Sequence, residues 1–402
     1  MNPELIDSLV IDGKTKIVFL IMDGLGGLPM EGRRETELEA ARTPNLDTLA
    51  REGVTGLLDP ITPGITPGSG PAHFALFGYD PLKYNIGRGF LSAAGVGFPM
   101  DPRDLYARVN FATLDPDGLI LDRRAGRLAT ETNRLLCRRL SESIRLSSGV
   151  EVFFAPEKEH RALLVLRGDD LREDIAETDP QRLGVAPLPP RALRAEAKRT
   201  ELILEELLSR VRMVLAPEEK ANMILLRGYA RHRSFPSLAE RFRLNALAVA
   251  AYPMYRGIAG LLGMEVCREV SGLAEQFAVL KENFDRHDFF FVHVKATDSS
   301  GEDGNYERKV AAIEEIDQYL PAVTALRPDV LVVTGDHSTP AAMAAHSWHP
   351  VPVLLKAANC RVDEVERFGE RFCLQGGLGR MPMMNLMTLA LAHAGRLTKY
   401  GA

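Results

Sequence analysis

The chain has 402 residues, enough for two domains or for one domain carrying a large insert, and its 46% hydrophobic and 26% charged residues are those of a folded globular protein. Against 54 acidic side chains stand 49 basic ones, a net charge of −5 that argues against sequence-independent nucleic-acid binding by phosphate neutralisation; any anion site has to be local. No apolar stretch approaches the ~20 residues that span a bilayer and no basic leader opens the chain. Cys137, Cys267, Cys360 and Cys373 lack the paired close spacing of a zinc ribbon or a disulfide framework. The expectation is a cytoplasmic protein with reduced cysteines and neither nucleic-acid nor membrane partners.

The first apolar run, Ile17 to Met22, reads as a central strand that ends in Asp23 and Gly24. An Asp-Gly pair commonly makes only an Asx turn, but at the carboxyl end of a central strand it is placed to meet a metal or a phosphate. Thr43 to Gly53, with Pro44 at the first helical position, predicts a short amphipathic helix. Beyond a loop of prolines and glycines stands Ser69, and Pro71 to Phe77 predicts a helix whose N-terminus lies beside it. A plain N-cap serine contributes ~1 kcal/mol and requires no chemistry. Placed near metal ligands, the same hydroxyl can act as a nucleophile.

From Met100 the strand and helix pattern changes. Leu119 to Leu121 lead into Asp122, Arg123, Arg124, Gly126 and Arg127, three guanidiniums on a glycine-containing turn. An arginine cluster is in most proteins a solvated face, yet forked hydrogen bonds from such a group can hold a carboxylate and a phosphate, and Asp122 is placed to orient one guanidinium. His160 and Arg161 open an apolar run ending in Arg167 and Gly168, and Met223 to Leu226 runs into Arg227 and Gly228. Between these, Pro187 to Glu218 is expected to be helical, charge-rich and exposed.

Leu244 to Ala251 returns to an apolar strand, turns at Pro253 and enters a helix that contains Arg256 and ends near Gly263. Phe289 to Val294 is a further buried strand, with Asp298, Glu302 and Asp303 expected on its C-terminal loop. Val330 to Thr334 ends in Asp336 and His337, and His346 and His349 precede the last long apolar run. Four distant stretches therefore end strands in carboxylate, imidazole or hydroxyl. Hard oxygens mixed with imidazoles suit Mn²⁺ or Zn²⁺ better than calcium.

The ordered set of Asp23, Ser69, the segment Asp122 to Arg127, Asp298, the segment Thr334 to Pro340 and His346 resembles the archaeal-type 2,3-bisphosphoglycerate-independent phosphoglycerate mutases of the alkaline phosphatase superfamily. The resemblance runs through nearly the whole chain. It implies an α/β alkaline-phosphatase-like core, a mostly parallel sheet flanked by helices, interrupted by a smaller α+β substrate-binding domain, with substrate between them. The expected division is 1–104 with 241–402 for the metal-binding domain and 105–240 for the insert.

By matching positions, the resemblance implies a phosphorylated Ser69. One divalent ion would be held by Asp23, Ser69, Asp336 and His337, and a second by Asp298, His346 and Glu302, with Mn²⁺ the first choice and Mg²⁺, Co²⁺ or Zn²⁺ the alternatives. Asp122, Arg123, Arg124 and Arg127 would bind a phosphorylated glycerate, helped by His160, Arg161, Arg227 and Arg256. Three positions depart from the pattern: Glu302 stands where the family has His, Gly70 where Asp usually follows the serine, and His349 where a small or acidic residue is usual. The implied activity is interconversion of 3- and 2-phosphoglycerate. A related metal-dependent phosphohydrolase or phosphotransferase, or a binding protein that has lost catalysis, are the alternatives these departures leave open.

Overall fold

The computed structural model describes residues 3–84, 86–267 and 270–401. The first segment supplies strands β1 (Ile17–Met22) and β2 (Val54–Asp59). An interruption holds β3 (Asp104–Leu114), β4 (Ile120–Asp122), β5 (Glu151–Pro156), β6 (Arg161–Arg167) and β7 (Met223–Arg231). The chain then returns with β8 (Ala246–Ala250), β9 (Glu265–Val266), β10 (Phe289–Val294), β11 (Val330–Thr334), β12 (Val351–Ala357) and β13 (Gly379–Pro382).

Two compact units result. Residues up to 85 and from 236 onward form one, and Ile86–Phe235 the other. The smaller unit thus begins earlier than 105, because helix Arg88–Val96 packs on β3 and β7. Its Gly89 permits the approach: a Cβ there would lie 2.7 Å from Tyr106 O and 2.8 Å from Gly228 O.

The larger unit is an eight-stranded sheet in the order β13-β2-β12-β11-β1-β10-β8-β9. β1 runs parallel to β10 and β11, and β8 parallel to β10, so these strands end at one edge. β12 is antiparallel to both β11 and β2, which brings the start of β12 and the end of β2 to that same edge. Residues Ile17 to Met22 are wholly buried, as continuous apolar runs in a sheet covered on both faces must be. The topology alone therefore gathers in one place the loops that leave β1, β2, β10 and β11 and the loop that enters β12.

The smaller unit is an antiparallel sheet in the order β4-β3-β6-β5, with β7 on β3. One face, with Leu105, Val109, Leu164 and Leu226, packs against helices Thr130–Ser143 and Lys198–Leu215. The second helix is shorter than the expected Pro187 to Glu218. Pro187, Pro189 and Pro190 forbid helical hydrogen bonding over its first third, and the helix starts only at Lys198. The α/β architecture with an α+β insert is as expected from the sequence.

Candidate active site

Asp23, Asp336 and His337 offer donor atoms that lie within 4.8 Å of one another, and so do Asp298, His337 and His346. His337 belongs to both groups. Its Nε2 stands 3.4 Å from Asp23 Oδ1 and 3.2 Å from Asp336 Oδ2. Asp23, Asp298, Asp336 and His337 are fully buried.

Ser69 is the first residue of helix Ser69–Leu76, whose N-cap is Gly68, so the hydroxyl is not used as a cap. Its Oγ lies 3.4 Å from His337 Nε2 and is partly exposed. Asp298 and Glu302 do not sit on a loop but on the short helix Ala296–Glu302, which starts directly after β10 and turns Asp298 inward. Glu302 stands outside both donor groups. Its carboxylate is half-exposed, with Oε1 3.7 Å from His346 Nε2.

Hydrogen bonds fix the imidazoles. His346 Nδ1 lies 3.1 Å from Pro67 O, so it is the protonated nitrogen and Nε2 is left towards Asp298 at 3.6 Å. Thr339 Oγ1 donates to Asp298 Oδ1 at 2.6 Å and lies 3.0 Å from His337 Nδ1. His349 turns away, its Nδ1 3.0 Å from Ser347 Oγ.

Three residues of this site carried no assignment in the sequence. His73, one helical turn after Ser69, places Nδ1 2.8 Å from Ser69 O and 3.3 Å from Asp336 Oδ2. His293, inside β10, approaches Asp23 Oδ2 at 3.4 Å. Lys295 lies 3.0 Å from Asp23 Oδ2 and also bonds Asp298. A polar His293 in an otherwise apolar strand, and the i, i+4 spacing of Ser69 and His73, were the signals available.

The electrostatics are those of carboxylates crowded out of water. Burial, then the charges of Asp23 and Asp298, push the Asp336 carboxyl well above its ordinary range, and burial with Asp23 also raises Asp298. Burial works on Asp23 in the same sense, but Lys295 and His293 overcome it and hold Asp23 well below. Burial, reinforced by His293, brings His73 down to about 3, and burial also keeps His337 neutral. Asp23 Oδ1 and Asp336 Oδ2 have no hydrogen-bond donor, and Asp23 Oδ2 has only the Lys295 ammonium at 3.0 Å and His293 at 3.4 Å beside it. Buried acceptors so poorly supplied are costly, and a divalent cation would satisfy them together. The residues present fit such ions.

In the smaller unit, Asp122 does not orient a guanidinium. Its carboxylate accepts from Arg124 N at 2.7 Å and Gly126 N at 2.6 Å, organising the turn instead. The guanidinium of Arg123 is held by Asp179 at 2.6 and 2.9 Å, and Arg227 by Glu177 at 3.0 Å with Asp179 at 3.7 Å. Arg124, Arg127 and Arg161 are exposed. His160 is buried beside this cluster, and burial together with Arg161 and Arg124 lowers it to about 4, so it is neutral. Arg256 belongs to the larger unit, on helix Pro253–Leu261, whereas the other arginines named belong to the smaller one.

The family model described as 2,3-bisphosphoglycerate-independent phosphoglycerate mutase matches residues 50–221. A Thermus thermophilus protein named a probable 2,3-bisphosphoglycerate-independent phosphoglycerate mutase is 52% identical over 391 residues, 96% of each chain. A Thermotoga maritima protein of the same name is 47% identical over 399 residues, 99% of each chain. Among solved structures, a Pyrococcus horikoshii protein superposes with a TM-score of 0.82 at 29% identity, covering 97% of this chain and 100% of its own. The cofactor-independent phosphoglycerate mutase of Thermoplasma acidophilum does so with a TM-score of 0.72 at 31% identity, covering 95% and 100%.

Proposed function

The chain belongs to the 2,3-bisphosphoglycerate-independent phosphoglycerate mutase family, and on that premise we propose that it is an isomerase interconverting 3-phosphoglycerate and 2-phosphoglycerate through a phosphoserine at Ser69. The observation that carries this reading is the placement of Ser69 Oγ 3.4 Å from Nε2 of His337, the residue common to both donor groups. A hydroxyl with no capping task, beside the buried imidazole that two sets of metal donors share, has a chemical reason to be there.

Asp23, Asp336, His337 and Ser69 would hold one divalent ion, and Asp298, His346 and Glu302 the other, with Mn²⁺ as the expected metal. When bound, such ions favour the alkoxide form of a serine and offset charge on phosphoryl oxygens.

The chain's own residues do the rest. Ser69 Oγ forms a bond to phosphorus as the bond from phosphorus to one glycerate oxygen breaks. The proton given up by the Ser69 hydroxyl ends on the released glycerate oxygen, and the glycerate turns and presents its other hydroxyl, whose proton passes back to Ser69 Oγ in the return transfer. That oxygen then bonds to phosphorus and the bond to Ser69 Oγ breaks. Lys295 adds positive charge beside Asp23 and Asp298. In the smaller unit, which we take as the substrate-binding one, the exposed Arg124, Arg127 and Arg161 would hold the anionic glycerate by charge-assisted hydrogen bonds, with Arg123 and Arg227, already paired to Asp179 and Glu177, adding positive charge and neutral His160 as a hydrogen-bonding neighbour. Asp122 contributes by shaping the arginine turn, and Arg256 is a weaker candidate for the phosphate end.

The test is an enolase-coupled assay with Mn²⁺, Mg²⁺, Co²⁺ and Zn²⁺ in turn, with inorganic phosphate measured in parallel. Product 2-phosphoglycerate without phosphate release supports the mutase. Phosphate release alone points to a hydrolase, and no reaction with any metal to a binding protein.

A further inference from the structure

Thr339 joins the two donor groups, although it belongs to neither. Its hydroxyl donates to Asp298 Oδ1, so its remaining bond to His337 Nδ1, at 3.0 Å, has to be one in which the imidazole donates. That direction fixes His337 as the tautomer with hydrogen on Nδ1. The lone pair is left on Nε2, which faces Asp23, Asp336 and Ser69.

The backbone of Thr339 is held as tightly as its side chain. Its N–H donates to Gly26 O at 3.0 Å, across to the loop after Asp23. Its carbonyl accepts from the fully buried ammonium of Lys309 at 2.9 Å, and the same ammonium donates to Gly26 O at 3.0 Å. Glu37, also fully buried, balances this charge from 3.8 Å while accepting from Ala341 N at 2.7 Å. The helix that carries Asp298 presses on the same point, since a Cβ on Gly301 would lie 2.1 Å from Thr339 O. Lys309 thus sits on a different helix, Tyr306–Asp317, yet ties the loop after β1 to the loop after β11.

We propose that Thr339 and Lys309 are positioning residues that set the tautomer and placement of His337 for metal binding: Lys309 pins the Thr339 main chain, and the Thr339 hydroxyl aligns His337 with Asp298. The inference rests on the metal reading proposed above.

The experiment uses the full chain as wild type, Thr339→Val, Thr339→Ser, Lys309→Met and the Thr339→Val/Lys309→Met pair. Nitrogen NMR of the metal-free, ¹⁵N-histidine protein reports the His337 tautomer, and calorimetric titration with Mn²⁺ and Co²⁺ reports affinity. Thr339→Val should weaken the metals by about 10–100-fold and mix the tautomers, and Thr339→Ser should restore both. Lys309→Met should weaken binding too, with the double variant falling short of the product of the singles. Wild-type affinity and an unchanged tautomer in Thr339→Val overturn the proposal, and an unfolded Lys309→Met leaves the Val and Ser pair to decide it. A wild type that takes up no divalent ion overturns the metal reading instead, while the tautomer measurement still judges the positioning.

Discussion

Lys295 Nζ lies 3.0 Å from Asp23 Oδ2 and reaches Asp298 as well, a single ammonium set among the three buried carboxylates of Asp23, Asp298 and Asp336. One cation cannot balance three anions, so Asp336 and Asp298, whose carboxyls are raised by burial and by Asp23, hold protons more readily than free carboxyls do. A divalent ion must displace those protons. Metal uptake is therefore expected to release protons and to tighten as pH rises towards neutrality. Calorimetry in buffers of different ionisation enthalpy reads the release, and an affinity independent of pH would contradict it. Mn²⁺ at a hundred times its dissociation constant should stabilise the fold by about 2.7 kcal/mol for each ion bound, relative to the chelator-treated protein, seen as a higher Tm.

Ser69→Ala separates chemistry from structure. Gly68 is the N-cap of helix Ser69–Leu76, so no helix end depends on the hydroxyl. Stability should stay within about 0.5 kcal/mol of wild type. Turnover should fall by roughly 10⁴-fold or more, as for loss of a covalent nucleophile. Activity within tenfold of wild type would remove Ser69 as the phosphate acceptor.

What the sequence makes legible here is what continuity of apolar residues makes legible. Ile17–Met22, Phe289–Val294 and Val330–Thr334 are buried strands because each is built on a continuous apolar run, interrupted in β10 only by His293, and the polar residues that close them meet because the strands are parallel. Lys295 and His293 went unassigned because a lone polar residue in or beside such a run has no local partner; Asp23 reaches them only through the pairing of β1 with β10. Thr339 is an ordinary hydroxyl until the fold sets Asp298 and His337 on either side of it. Asp122 misled for a local reason, since a carboxylate two residues before a turn amide bonds the backbone first.

The arginine cluster should divide by burial. Arg123 forms a forked pair with Asp179, whose carboxylate is fully buried, and burial of that acid is outweighed chiefly by this guanidinium. Arg123→Ala leaves Asp179 with the Gln181 N–H at 2.8 Å and, of its two cationic partners, only Arg227 at 3.7 Å. It is expected to cost about 3 kcal/mol of stability and to raise KM. Arg124 is exposed, so Arg124→Ala should raise KM with stability within about 0.5 kcal/mol of wild type. Chemical denaturation beside steady-state kinetics distinguishes them, and equal stability of the two variants would mean that the Asp179 pair contributes little.

Glu370 gives the fold a pH dependence away from the metal donors. Its Oε1 accepts from Gly27 N at 2.8 Å and its Oε2 from Thr36 Oγ1 at 2.6 Å, but burial outweighs both bonds and, with Glu39 nearby, lifts the carboxyl to about 7. The unfolded chain gives up this proton near pH 4.5, so between there and about 7 the native state holds a proton that the unfolded state has lost. Stability from this group is thus complete below the lower value, falls as pH rises through the window, and levels off above about 7.5, a loss of roughly 3 kcal/mol at most. Glu370→Gln keeps an acceptor for Gly27 and offers a donor to Thr36 without a titrating proton. Relative to wild type it should gain stability steadily from pH 5 to pH 7.5 in urea melts. A difference between the two proteins that stays flat across that range would show that Glu370 is ionised throughout and that its hydrogen bonds, not burial, decide its charge.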